Sequence, residues 1–266
     1  MYQKAIVTFL DILGFSDVVR KRDPVAVNTI LDSLERFTVP EAEEEPAYEP
    51  EVIAFSDSIV RVRKIETKTN KIYPFGLLFN EILDLVHAQG MLIDAEVFLR
   101  GGIAFGDIYM SGHRVFGPAL VSAYELESKY AKYPRIIVSP FLLRELKTNP
   151  LLVALHHDPS TEIRFIRKLL RQGDDGMWFV DYGQAIEREL DEPEMYPMFL
   201  EKHRALIIRQ IRQFKSFDGV KAKYLWLANY HNQLVHEINS KWFQCYDIKR
   251  RKLFITLKEL PTLRSR

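Results

Sequence analysis

An α+β fold is predicted by three observations: short β-rich runs alternate with helix-spaced segments, several runs form hairpin pairs around turn residues, and the pattern becomes wholly helical after Pro193. Residues 4–10 are an apolar run ending at Asp11, as a buried strand does. Gly14 follows, and residues 15–22 and 24–37 read as helix, with Pro24 at a first helical position and Val27, Ile30, Leu31 and Leu34 on one stripe. The acidic, proline-rich stretch 40–50 reads as a loop. Residues 52–55 and 59–63 are strand-like around Ser56-Asp57, a hairpin with Asp57 at its turn. Residues 73–89 carry Leu77, Leu78, Ile82, Leu85 and Val86 at helical spacing. Residues 97–105 form a strand in which Gly101-Gly102 predicts close backbone approach. Gly106-Asp107 and Ser111-Gly112 punctuate a second hairpin. Residues 118–132 read as helix, 135–139 as a short strand, and Pro140 opens a further helix. Residues 163–170 and 177–182 flank the turn QGDDG as a last hairpin. The leading β-α-ββ-α-β order is a ferredoxin-like core, one sheet with helices on one face. Two helices, 199–214 and 220–238, follow, joined near Asp218-Gly219. The chain therefore divides into an α+β domain over 1–190 and a helical extension over 191–266.

Bulk properties narrow the function. The 266 residues are 47% hydrophobic, enough for a core without disulfides. Lys plus Arg number 37 against 36 Asp plus Glu, so there is no general attraction to nucleic acid or an anionic membrane. Cys245 is the single cysteine, which excludes an intrachain disulfide and predicts a reducing cytoplasmic setting. Asp11 interrupts the first apolar run, so no signal peptide is predicted, and no run of about 18 apolar residues predicts a membrane span.

Asp11 ends the first strand and Asp57 sits at a hairpin tip, positions that a ferredoxin-like sheet makes neighbours. Two converging carboxylates repel unless a cation lies between them, and hard divalent ions such as Mg²⁺ or Mn²⁺ take oxygen ligands. After Asp11 the chain turns from strand to helix through Ile12, Leu13, Gly14 and Phe15, where exposed amides favour phosphate. Taken singly, an aspartate after a strand is usually a turn residue or a cap. The signal lies in the pair together with Gly14. His156-His157-Asp158 has no second ligand cluster at useful spacing and reads as a solvated turn. The acidic run 41–45 reads as a solvated loop, and Tyr48, which follows it, is a candidate contact for an aromatic ligand ring. Tyr224, Leu225, Trp226, Leu227, Tyr230, Leu234 and Ile238 mark a packing helix in the tail.

These segments carry a resemblance. Phe9-Leu10-Asp11-Ile12-Leu13-Gly14-Phe15 resembles the F-x-D-I-x-G-F opening of class III nucleotide cyclases. Asp57 resembles their second metal aspartate, and Leu99 to Gly106 resembles their R-x-G-I-x-x-G strand. Phe116-Gly117 through Leu126-Glu127-Ser128 resembles their W-G-D to S-R-M-E-S stretch, and the likeness spans about residues 4–182 in the same order. It implies two Mg²⁺ or Mn²⁺ ions held by Asp11, Asp57 and the Ile12 carbonyl, with Leu13, Gly14 and Phe15 amides on the β- and γ-phosphates. It also implies a head-to-tail homodimer with sites between subunits.

In an ungapped comparison the family's base-reading lysine falls on Ile53 and its base-reading aspartate on Pro118, neither of which offers a side-chain hydrogen bond. Its ribose-holding asparagine and transition-state arginine fall on Val121 and Glu125, which leaves Arg100, then Lys129, Lys132 and Arg171, as replacement cations. Gly117-Pro118-Ala119-Leu120, Tyr124-Glu125-Leu126-Glu127-Ser128 and Tyr133-Pro134-Arg135-Ile136 resemble the pyrimidine cyclases of bacterial Pycsar antiphage systems. That resemblance implies conversion of UTP, or next CTP, to a cyclic nucleotide that acts on a separate effector in antiviral defence. The alternatives are a purine (adenylyl or guanylyl) cyclase with rearranged base contacts and a catalytically dead homologue that only binds nucleotide. The G-G-[DE]-E-F turn of diguanylate cyclases is absent.

Overall fold

The computed structural model describes residues 1–38, 50–65, 74–190, 192, 194–213, 218–256 and 259. The expected loop at 40–50 lies almost wholly outside them, with the acidic run 41–45 and Tyr48. Contacts divide the chain into two compact units, Met1–Tyr182 and Gly183–Arg266. The division falls on the N-terminal side of the 190/191 boundary drawn from sequence.

The first unit is an α+β sheet structure. Its elements are β1 (Gln3–Ile12), α1 (Phe15–Lys21), α2 (Pro24–Thr38), β2 (Glu51–Phe55), β3 (Ser58–Lys64), α3 (Leu77–Met91), β4 (Leu99–Ser111) and β5 (Arg114–Phe116). Then come α4 (Pro118–Glu125), a π-helical turn (Leu126–Tyr130), β6 (Ile136–Val138), α5 (Pro140–Thr148), α6 (Pro159–Arg167), β7 (Leu170–Gln172) and β8 (Trp178–Val180). The sheet order is β2-β3-β1-β4-β6-β8-β7, with β5 paired to β4. The segment β2-β3-β1-β4 is antiparallel throughout, the arrangement of a βαββαβ core, and β4–β6 is the parallel pair.

β1 is buried from Ala5 to Leu10 because both faces of the sheet are covered. On one face Thr8 hydrogen-bonds Glu81 of α3 at 2.7 Å. On the other, Phe9 meets Tyr124 of α4 edge-on with ring centroids 5.4 Å apart. The expectation of helices on one face is therefore corrected. Gly102 is what lets α4 approach the second face: a Cβ there would lie 2.4 Å from the Ala123 carbonyl.

Three further expectations are corrected. β4 runs unbroken through Gly106-Asp107, since Gly106 stays in register with Ala5; the turn is at Gly112, whose φ is +55°. Residues 163–167 are helix, not strand, because Asp158 accepts the amides of Ser160 and Thr161 and Pro159 opens the first turn of α6. The helix from Pro118 closes at Tyr130 rather than 132, through the π turn.

The second unit contains α7 (Met195–Gln213), α8 (Asp218–Glu237) and α9 (Ser240–Cys245). Asp218 opens α8 rather than joining two helices. Tyr196 donates its hydroxyl to Gly183 O, and the Gly183 amide donates to the Tyr230 hydroxyl, both at 2.9 Å. No described helix is long and apolar enough to cross a membrane.

Candidate functional site

The pairing register brings the two sequence-predicted aspartates together. Asp11 of β1 lies opposite Ser58 of β3, and the next residue, Ile12, donates its amide to the Asp57 carbonyl at 3.2 Å. Asp57 occupies the two-residue turn between Phe55 and Ser58, where Ser56 adopts a left-handed φ of +56°. The turn thus brings Asp57 beside Asp11, near enough for its charge to act on the Asp11 carboxyl. Burial raises the Asp11 pKa, Arg100 pulls it down, and the neighbouring Asp57 charge pushes it up again.

Arg100 lies directly across β4 from Asp11, on the α4 face of the sheet. Its Nε and Nη2 both stand 2.8 Å from Asp11 Oδ2. Nε is also 2.8 Å from Glu127 Oε1. A guanidinium Nε carries one hydrogen, which points to Asp11, so the Glu127 contact is an ion pair rather than a second hydrogen bond from that atom. Glu127 sits on the π turn with its side chain only 4% exposed. It is a site residue that the motif reading passed over, since nothing in the spacing around Leu126-Glu127-Ser128 aims it at Asp11. The signal lay in Gly102, whose missing Cβ also clears the backbone at Glu127.

The strand-to-helix turn beyond Asp11 is built as expected in part. Gly14 adopts φ +76° and caps α1. Phe15 is buried at the helix start, where first-turn amides have no intrahelical acceptor. The Leu13 amide is already taken, donating to Phe98 O at 2.9 Å, which corrects its place among free phosphate donors.

Lys129 and Arg171 do not join the pair within one chain, and Lys132 is an exposed residue just beyond the π turn. Lys129 is exposed and pairs with Glu125 at 2.6 Å. Arg171 lies on β7, at the opposite sheet edge from β2, and pairs with Asp181 at 2.8 Å. Arg100 does reach the pair, but bound to two carboxylates it serves as their counterion. Ile53 lies on β2 opposite Val60, and Pro118 is the first residue of α4. Asp158 is the cap of α6, and the solvated-turn reading of His156-His157-Asp158 is corrected at His157, which stacks on Phe165 and lies 3.4 Å from the buried Glu162 carboxylate.

No known protein-family profile matches the chain, and no curated protein matches it. Among solved structures, the chain is similar to a bacterial light-regulated adenylyl cyclase at 18% identity and TM-score 0.39, over 56% of this chain and 81% of that one. It is similar to the adenylyl cyclase CyaB from P. aeruginosa at 13% identity and TM-score 0.41, over 68% and 94% of the two chains. It is also similar to the catalytic core of a rhodopsin-guanylyl cyclase with converted specificity, at 14% identity and TM-score 0.39, over 67% and 96%.

Proposed function

We propose that this chain is a nucleotide cyclase of the class III type that converts a pyrimidine nucleoside triphosphate, UTP in the first place and CTP next, to its 3′,5′-cyclic monophosphate and pyrophosphate. The observation that carries this reading is the convergence of Asp11 and Asp57 at a strand-to-helix turn opened by Gly14. The donor set fits a divalent ion: two adjacent carboxylates, with Asp11 destabilised as an anion by burial and by its neighbour. Asp11, Asp57 and the Ile12 carbonyl would hold Mg²⁺ or Mn²⁺, which supplies charge neutralisation at the triphosphate when bound. In the reaction the ribose 3′-oxygen bonds to the α-phosphorus and the bond to the pyrophosphate oxygen breaks in line. The hydroxyl proton passes to water, its acidity raised where a divalent ion would be held by Asp11 and Asp57. Arg100 and Glu127 fix the orientation of Asp11, and the amides of Gly14 and Phe15 face the phosphates.

The pyrimidine reading is supported by Ile53 and Pro118, which leave no side-chain donor or acceptor for a purine edge. The same reading implies a head-to-tail homodimer, and Lys129 and Arg171 enter the scheme only from a partner subunit. A diffusible product acting on a separate effector in cytoplasmic antiviral defence belongs to it as well. The test is a panel of ATP, GTP, CTP and UTP with Mn²⁺, scored by pyrophosphate release and product chromatography. UTP turnover that drops at least about a hundredfold in Asp57→Ala is expected. Preferential purine turnover would move the chain to the purine cyclases, and undiminished turnover in the variant would remove Asp57 from the chemistry.

A further inference from the structure

Away from the carboxylate pair, α5 and α6 pack side by side over the β7–β8 edge of the sheet and leave a cleft of about 140 Å³ between them. Its floor is apolar: Leu146 from α5, Ile163 and Ile166 from α6, and the Trp178 ring from β8. Its rim is cationic, with Arg144 and Lys147 on α5 and Arg167 on α6, all three exposed. No carboxylate lines the cleft among the described residues. Of the nearby acids, Glu162 is buried and accepts the Gly76 amide at 2.7 Å, Asp181 holds Arg171, and Glu145, between Arg144 and Lys147 on α5, is not among the lining residues. None of the three rim cations forms an ion pair among the described residues.

Three like charges around a low-dielectric floor repel one another and focus a positive potential into the cleft. An anion placed between them relieves that repulsion, and arginine guanidinium groups match a carboxylate in a bidentate fork. The floor selects the rest of the ligand. A dry apolar cavity of about 150 Å³ accepts a benzene ring, so this one takes a six-carbon ring or a branched chain of similar bulk. We infer that the α5–α6 cleft is a binding site for a small amphipathic carboxylate, an aromatic or branched aliphatic acid whose apolar end rests on Ile163, Ile166 and Trp178 and whose carboxylate meets Arg144 and Arg167. The site lies on strands remote from β1 in the sheet order, so it stands or falls separately from the cyclase reading.

The probe is phenylacetate, titrated into the ¹⁵N-labelled full chain while amide and Trp178 indole resonances are followed. Its neutral isostere 2-phenylethanol and inorganic sulfate form parallel arms. The expected result is a saturable shift centred on Leu146, Ile163 and Trp178, with 2-phenylethanol at least about tenfold weaker and sulfate leaving the floor resonances unmoved. The double variant Arg144→Gln/Arg167→Gln alters only exposed side chains, and is expected to weaken phenylacetate by about tenfold or more with the remaining spectrum unchanged. Absence of a saturable shift overturns the inference. So does equal binding of the alcohol, full affinity in the double variant, or a sulfate response matching that of phenylacetate.

Discussion

Asp11 pairs with a cation on one side and faces an anion on the other, and the balance sets its protonation. Burial and Asp57 hold its pKa above the usual carboxylate value, against the pull of Arg100. A raised folded-state pKa means that the native state retains the proton longer than the unfolded chain, so stability falls as pH rises through that interval. Above that interval the metal-free protein carries the repulsion that Asp57 exerts on the Asp11 carboxylate. Asp57→Asn removes the repelling charge, and the thermal midpoint of the metal-free protein is expected to rise by about 1–3 °C. The same substitution should abolish the stabilisation that millimolar Mn²⁺ gives the unsubstituted chain, since one of the two carboxylate ligands is lost. Differential scanning fluorimetry with and without Mn²⁺ reads both effects, and a variant that keeps the full Mn²⁺ shift would exclude Asp57 as a ligand. The two aspartates were legible in sequence because each sits where the chain changes direction. Glu127 was not, because its role comes from a sheet-to-helix contact that sequence spacing does not encode.

The contact that places Glu127 belongs to the scale of elements. α4 and its π turn rest on β4 only because position 102 has no side chain: a Cβ would come within 2.5 Å of Leu126 Cβ and 3.2 Å of the Glu127 amide. Gly102→Ala is expected to cost about 1–3 kcal/mol through overpacking, measured as a lower urea midpoint. It should also release Glu127 from Arg100, so turnover should fall beyond what lost stability explains when assayed well below the melting range. Unchanged turnover in a folded Gly102→Ala protein would separate the Glu127 contact from the site. Elements carried by local chemistry were readable from sequence, such as α2, where Asp23 accepts the amides of Val25 and Ala26 ahead of the buried Ile30 and Leu34. Residues 163–167 resemble a strand in sequence because Ile163, Arg164 and Phe165 alternate, while the deciding cap, Asp158, lies upstream of the run. Gly106-Asp107 looks like a turn in sequence, whereas Gly106 has an extended φ of +159° and keeps its register opposite Ala5, so β4 continues through it.

At the scale of the whole molecule, each unit contains a buried titratable cluster that none of the motifs announced, and the two respond to acid in different ranges. In the first unit Glu81 lies on the apolar stripe of α3, bonded to Thr8 at 2.7 Å, Arg61 at 2.9 Å and Arg63 at 2.6 Å, with Asp84 paired to the same two arginines. Burial alone would raise the Glu81 pKa, but the Arg61 and Arg63 charges overcome it and bring the value to about 2, from 4.5. A depressed carboxylate stabilises the fold above its unfolded pKa, and that stability is lost as pH falls from 4.5 toward about 2. In the second unit His203 of α7 and His231 of α8 face each other with Nδ1 atoms 2.9 Å apart. The Leu253 carbonyl 2.8 Å from His231 Nε2 can only accept, so that nitrogen carries the hydrogen and the neutral pair shares a single proton between its Nδ1 atoms. Burial holds both histidines below their usual pKa, His231 at about 4 against 6.5. For a buried neutral histidine the unfolded chain binds the extra proton, so stability is whole above pH 6.5 and lost as pH falls toward 4, by roughly 3 kcal/mol for His231. Acidification should therefore loosen α7 and α8 between pH 6.5 and 4 while β1, β3 and α3 stay protected until below pH 4.5. Hydrogen exchange by mass spectrometry across a pH series, corrected for intrinsic rates, should resolve two steps. His231→Gln, whose amide can still donate to Leu253 O, should flatten only the first. Loss of protection in both units at one pH, or a first step unmoved by that substitution, would show that the histidine pair does not set the acid limit of the helical unit.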